Sequence, residues 1–350
     1  MSTVRAIGAN ELQALEERQR GGSFARCVLI YLLAAALLAA VSLLVGTSSV
    51  RTSLEWLRSP AALSDTVLWD IRLPRAVGAW LVGALLGLGG AIAQSLFRNP
   101  LAEPYLLGSA SGAALGVTVC LMAVDITITG LAWLGAVGVT GAAFIGAAAG
   151  ITLTLALSRG LQQTANLLLA GVVVAFLLSA LTSLLLLRSP DTWRAMQGFL
   201  LGTTGFLGWR SAVLLALIFL ATAIPAVLLS RGLDALTLGE DTARSLGLPL
   251  EALRVVLLAL LSLATAAAVS QAGIVGFVGL ISPHLVRESV HVNSRKLIIA
   301  APLCGGVVLQ AADLASRWMI RPGELPVGIV TACLGGSYLV VLLWRRAQRE

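Results

Sequence analysis

RGLDALTLGEDTARSLGLPLEALR, residues 231–254, is the one internal segment of the chain that is both long and rich in charge, and strongly apolar sequence flanks it on either side. It reads as a water-exposed knob on a membrane protein. Thr237 followed three residues later by Glu240 has the spacing of a capping box, which predicts a short helix from Leu238 through Ala243 and Leu246, stopped at Gly247. Pro249 suits the first turn of a second helix, with Glu251 close to its N-terminus. Two short helices joined at a Gly-Leu-Pro corner make a compact unit. Its small and apolar residues, Leu238, Gly239, Ala243 and Leu246, fit the groove of a partner. The competing reading is a solvated loop with good turn residues.

The composition around this knob supports the membrane reading. Of 350 residues, 58% are hydrophobic and 12% charged, with a mean hydropathy of +0.92, whereas roughly a quarter of the residues in soluble domains are charged. The 36 glycines suit helices that must pack closely where lipid supplies no hydrophobic drive. Cys27, Cys120, Cys304 and Cys333 all lie in apolar runs without paired spacing or nearby His, so neither a disulfide framework nor a metal site is indicated. The net charge of +7 comes from basic residues scattered over many short loops. That distribution argues for orientation in a bilayer and against nucleic acid.

Residues 1–26 form a charged, helix-compatible segment, too long and too charged for a signal peptide, which places the N-terminus in the cytoplasm. Apolar runs follow at 27–46, 76–97, 104–124, 130–157, 164–187, 211–230, 255–272, 274–290, 297–313 and 327–344, predicting ten spans. Ser53 suits the cap of a short surface helix at 54–58. An even number of spans returns the C-terminus to the cytoplasm. That orientation puts 15 of the 24 Lys and Arg residues inside, a modest positive-inside bias. The pair at 255–290 is the least regular: Gln271, Gly273, Gly276 and Gly279 interrupt it and Pro283 breaks its end, so a tight turn or a bent helix fits equally well. Gly83 and Gly87, Gly112 and Gly116, Gly146 and Gly150, and Gly198 and Gly202 each stand four apart, as on one helix face.

Several long motifs carry a resemblance. RLPRAVGAWLVGALLGLGGAIAQSLFRNPLAEPYLLGSASGAALG (72–116), WRAMQGFLLGTTGFLGW (193–209), LGEDTARSLGL (238–248), GIVGFVGLISPHLVR (273–287), ADLASRW (312–318) and ELPVGIVTACLGG (324–336) resemble, in order and spacing, the permease subunits of ABC importers for iron-siderophores, haem and cobalamin, the FecCD/BtuC-like, type II class. The match departs at Ser337 and Tyr338, where the family usually has Pro and Phe, and this puts a local helix bend in question. The resemblance implies an all-α, polytopic membrane fold of about ten transmembrane helices, with 27–346 as the permease domain. It implies a homodimer, or a pair with a close paralogue, around a central path in the bacterial inner membrane. Two cytoplasmic ATPase subunits that bind ATP and Mg would dock on the knob through Leu238, Gly239, Glu240, Ala243, Arg244, Leu246 and Gly247. A periplasmic binding protein would deliver the ligand, no cofactor would reside in this chain, and the second to fifth and seventh to tenth spans would form an inverted repeat.

The residues themselves limit the chemistry. No GxxxxGK[ST] loop is present, so this chain does not hydrolyse ATP, and GSASG at 108–112 lacks the strand and the His of a nucleophile elbow. In RNPLAEP, Asn99 and Pro100 mark a turn and Glu103 favours the start of the next helix. His284 and Arg287 lie near the predicted cytoplasmic surface, where a lone His is more often structural than catalytic. On the outer face Arg51, Arg58, Arg317 and Arg321 are candidates for docking the binding protein, Arg58 and Arg317 especially by resemblance. Their structural alternative is headgroup anchoring or local pairing, as of Asp313 with Arg317. No Asp, Glu, Lys or Arg falls in the core of any predicted span. An ion-coupled secondary transporter, the rival class, normally keeps a titratable group there. What remains for a path is weakly polar: Gln94, Asn166, Ser179, Thr182, Ser183 and Thr203, with Gln163 and Thr164 as gate candidates at the cytoplasmic mouth. Interhelical hydrogen bonding is the commoner use of such residues.

Overall fold

The computed structural model describes residues 9–44, 66–123, 132–158, 164–237, 239–320 and 323–348, and among these residues every regular element is helical. In chain order they are α1 (Ala9–Leu44), a π-helical turn (Val67–Arg72) leading into α2 (Leu73–Leu96), a 3-10 turn (Pro104–Leu107), α3 (Ser109–Ala123), α4 (Ala132–Leu157), α5 (Thr164–Arg188) and α6 (Pro190–Leu201). Then follow α7 (Trp209–Leu228), α8 (Ser230–Thr237), α9 (Glu240–Ser245), α10 (Leu250–Ala272), α11 (Val278–Ser289), α12 (Ser294–Met319) and α13 (Val327–Ala347). Each of the ten predicted spans falls on one of these helices. Seven helical stretches, on α1, α2, α4, α5, α7, α10 and α12, are long and apolar enough to cross a bilayer, by length and composition. The predicted surface helix at 54–58 lies outside the described residues.

Burial separates a central layer from a periphery. α2 packs on α12, α10, α11 and α7, and its apolar window is 89% buried, against 11% for α1 and 28% for α5. Closeness in that layer comes from missing side chains. Gly83 and Gly87 of α2 touch the Gly305 and Ala301 carbonyls of α12, and Gly90 touches the Gly279 carbonyl of α11; a methyl group at any of the three would overlap backbone. α3 meets α4 in the same way, Gly112 and Gly116 against Gly146 and Ala142. The fourth expected pair does not act as a packing face: α6 ends at Leu201, so Gly202 lies outside the helix in a left-handed conformation (φ 69°), and a side chain at Gly198 would meet open space. The large side chains left exposed on α5, among them Val173, Phe176, Leu184 and Leu187, form an apolar outer face suited to lipid or to a second membrane helix.

The irregular region at 255–290 is neither one bent helix nor two full spans. α10 stops at Ala272, residues 273–277 are non-helical with Gly273 and Phe277 at positive φ, and α11 has 12 residues, which reach only about 18 Å. α11 starts beside Leu86 and Gly90, deep along α2, and ends beside Gln94. It is a half-helix inside the bundle. Non-helical backbone at that depth must be satisfied by protein. The breaks after α2 (97–108), after α6 (202–208) and at 273–277 do this for one another: Thr203 N donates to Ala272 O (2.8 Å), Ile274 N to Phe199 O (3.0 Å), Phe277 N to Glu103 Oε1 (3.0 Å), and the Tyr105 hydroxyl to Val275 O (3.1 Å). Glu103, expected to favour the start of the next helix, is instead the acceptor that closes this junction. α13 is continuous through Ser337 and Tyr338.

Candidate functional site

The knob is built differently from its sequence reading. Thr237 is the last residue of α8 and donates its hydroxyl to Asp234 O (2.6 Å), so it caps nothing; Gly239, at φ 107° and ψ 154°, precedes α9 without a side-chain cap. The capping box fails because α8, unforeseen, uses up the residues that would have preceded such a cap. That backbone geometry belongs to glycine almost alone. The predicted stop at Gly247 holds: the residue is left-handed (φ 77°), and Gly247 N donates to Arg244 O. Pro249 precedes α10, which runs without interruption from the knob into the membrane layer.

The knob's faces also sort differently. Ala243 is fully buried among Leu233, Leu236, Leu250 and Leu253, in the chain's own core. It is therefore not available to fill a partner's groove, and its substitution would disturb the knob itself. Arg244, Leu246 and Gly247 are exposed, and Leu246, at 62%, is the apolar residue the knob offers to solvent. Leu238 and the Glu240 side chain lie outside the described residues. Asp234 accepts from Ser294 N (2.8 Å) and so ties α8 to the start of α12, where Asn293 caps through Lys296 N (3.0 Å).

Beside the knob opens a polar cavity of about 550 Å³, lined by residues that include Gln94, Arg98, Asp234, Arg287, Asn293 and Ser294. Gln94, expected on the path, is buried between helices: its Nε2 donates to Leu280 O (3.0 Å) and its Oε1 accepts from Arg287 Nη1 (2.5 Å). His284 Nε2 lies 3.5 Å from Glu288 Oε1, without a hydrogen bond to it, and the ring stands edge-on to Tyr338.

At the far end of the bundle the chain buries charge. Asp313 Oδ1 accepts from Arg75 Nε (3.1 Å), Arg75 Nη2 (2.9 Å) and the Thr204 hydroxyl (2.5 Å), while Oδ2 pairs with Arg317 Nη2 (2.7 Å). Arg75 also holds Glu324 through a two-pronged contact, Nη1 to Oε1 (3.1 Å) and Nη2 to Oε2 (2.9 Å). Arg317 reaches Ser42 Oγ at 2.5 Å, and Arg72 donates to Leu43 O at 2.6 Å, so α1 is drawn in as well. The expectation of Arg317 as a docking arginine is corrected here: at 3% exposure it is enclosed by its own chain, and the local pairing with Asp313 is what forms. Arg51, Arg58 and Arg321 lie outside the described residues.

The remaining described path candidates lie on α5 and at the junction beside α6. Asn166 is half-buried near the start of α5; Ser179 is exposed and donates to Ser111 Oγ (3.0 Å); Thr182 and Ser183 bond back to Leu178 O and Ser179 O. Thr203 sits at the three-break junction, its hydroxyl accepting from Gly205 N (3.1 Å). Gln163 lies outside the described residues, and Thr164 opens α5. Sequence reasoning missed Arg75, Glu324, Thr204 and Tyr105. Their partners lie 109 to 249 residues away along the chain, and no local pattern announces them.

Comparison with known proteins agrees with this architecture over almost the whole chain. The FecCD transport family matches residues 21–345. The hemin transport system permease protein HmuU of Yersinia pestis is 37% identical over 81% of this chain and 85% of its own length. The cobalamin import system permease protein BtuC of Halobacterium salinarum is 38% identical over 82% and 75%. A solved chain described as an inward-facing conformation of a metal-chelate type ABC transporter superposes with a TM-score of 0.80 at 28% identity, covering 92% of this chain and 99% of that one.

Proposed function

The chain belongs to the FecCD transport family, and on that premise we propose that it carries an iron-siderophore, or a haem- or cobalamin-type chelate, from a periplasmic binding protein across the bacterial inner membrane. At the coarser level it is a permease subunit of an ABC importer for substrates of the chelate, haem and cobalamin type. Permeases of this family do not hydrolyse ATP themselves. The observation that carries the reading is the family match from residue 21 to residue 345. A second copy of the chain completes the path, and two ATPase subunits, which bind ATP and Mg, dock on the knob at α8–α9.

The geometry suits that division of labour. The knob continues directly into α7 and α10 and is pinned to α12 by the Asp234–Ser294 hydrogen bond. A displacement imposed on Leu246 and Arg244 by an ATPase would therefore reach three helices of the core. At the far end, the charges described are paired within the chain and serve to fasten α1, α2 and α12 together. ATP-driven passage is favoured over the rival ion-coupled transporter by the family match.

Proteoliposomes with ATP inside, binding protein outside and an uncoupler present test this reading. Uptake should persist with the uncoupler; uptake lost while ATP hydrolysis continued would sink it. Mass spectrometry of the ligand captured by the purified binding-protein complex identifies the chelate.

A further inference from the structure

The fold carries one carboxylate into the bundle by way of a turn. After α2 ends, the chain runs back along it, and Pro104 packs beside Gly89 of α2 and Gly279 of α11. Gly89 precedes Leu96, the last residue of α2, by two helical turns, so the returning chain reaches about 10 Å inward. There Glu103, Pro104 and Tyr105 grip the break at 273–277. Glu103 Oε1 accepts from Phe277 N (3.0 Å), the Tyr105 hydroxyl donates to Val275 O (3.1 Å), and the Pro104 ring stands where a side chain on Gly279 would be. Phe277 is an aromatic residue at φ 69°, a left-handed conformation that persists only where the surroundings enforce it. Its ring lies against Gly335 of α13, so closely that a methyl group there would overlap it. α11 has no side-chain cap of its own; Glu103, 174 residues away, supplies the acceptor at its start.

α11 lies between this grip and the knob. Its C-terminal end leads through residues 290–293 to α12, whose first residue, Ser294, donates its N–H to Asp234 of α8 (2.8 Å). A push on the knob therefore arrives at one end of α11. The other end abuts non-helical backbone with Gly273 and Gly276, which would absorb the movement if nothing held it. We propose that Glu103, with Tyr105 beside it, is a positioning residue for transport: through Phe277 N–H it makes α11 and the 97–104 turn move as one body. A displacement of the knob is then delivered to the turn instead of being lost at the break. This rests on the functional reading above. Without Glu103, Phe277 N–H is left unsatisfied inside the bundle and its backbone is free to leave the strained conformation.

The test is uptake per ATP hydrolysed in proteoliposomes of the whole complex, with the binding protein outside and haemin, cyanocobalamin and a ferric hydroxamate as probes. Glu103→Leu removes the acceptor and should lower uptake per ATP by about tenfold while hydrolysis continues, the loss expected for one buried hydrogen bond. Glu103→Gln keeps an oxygen in the same place and should retain most of the wild-type ratio. Tyr105→Phe deletes a hydroxyl and leaves the ring's packing intact; it should lower the ratio by about threefold, and it decides the matter even where Glu103→Leu does not fold. A merely structural role predicts instead that uptake, hydrolysis and unfolding temperature fall together. That result, or a wild-type ratio in folded Glu103→Leu or in Tyr105→Phe, would overturn the inference. Glu103→Gln as impaired as Glu103→Leu would also overturn it, by assigning the effect to charge and not to the bond with Phe277. The wild-type protein separates the two levels. If it takes up none of the probes with ATP inside, the functional reading fails and this inference with it; if it couples and the variants couple equally well, the inference about Glu103 alone fails.

Discussion

The two ends of the bundle handle buried arginine in opposite ways. At the far end Arg75 and Arg317 are matched by Asp313 and Glu324, with Thr204 and Ser42 completing the hydrogen bonds. At the knob end Arg287 leans on an amide oxygen and faces open space. A closed ion network joins elements that must stay together, because removing its central Asp313 leaves two buried arginines short of a counter-charge. The contrast suggests that the far end is a clasp completed by the chain alone, whereas the knob end is left open.

Asp313→Ala should break the comparison most severely. It would strand Arg75 and Arg317 and lower stability by about 3–5 kcal/mol, read as a drop in unfolding temperature of the detergent-purified permease. Arg287→Met, which removes the unbalanced cation, should by contrast shift stability by less than about 1 kcal/mol in either direction; equal losses in the two variants would erase the distinction between the ends. Gly239→Ala comes next, since its backbone conformation is closed to other residues and should cost about 1–3 kcal/mol locally. Here the measurement is protease sensitivity of the knob relative to the remaining helices, and unchanged cleavage would show that the turn tolerates a side chain. Glu324→Gln should cost only about 0–1 kcal/mol, because the glutamate is partly exposed and Asp313 still holds Arg75. Arg98→Gly should have the smallest effect on stability, zero or slightly favourable, because relief of strain is offset by added freedom in the unfolded chain. A marked loss would mean that the Arg98 side chain supports the fold itself.

Much of the architecture could be read along the chain, and the reasons are local. A helix in lipid must satisfy its own backbone, so an apolar run long enough to cross declares itself without knowledge of its neighbours. Every run falls at least in part on a helix, and seven of them are long enough to cross for that reason; the positions of Gly83, Gly87, Gly112 and Gly116 anticipated the contacts α2–α12 and α3–α4. The knob's existence, and its stop at Gly247, followed from a charge-rich interruption with a glycine at its end.

Other features depend on partners remote in sequence, and there the reading failed or stayed silent. Thr237 and Glu240 have capping-box spacing, yet the helix before them decided the local conformation. Ala243 and Leu246 are both apolar knob residues, and only the fold turns one into the core and the other to solvent. Arg317 reads as a surface arginine until α1 and α2 close over it. By itself the sequence determined that the chain crosses a membrane as a bundle of helices and where it interrupts them, because apolar run length and glycine spacing act over one or two turns. Tertiary structure alone decided which charges are balanced within the chain and which are not, because pairing depends on distances between residues that the chain order holds far apart.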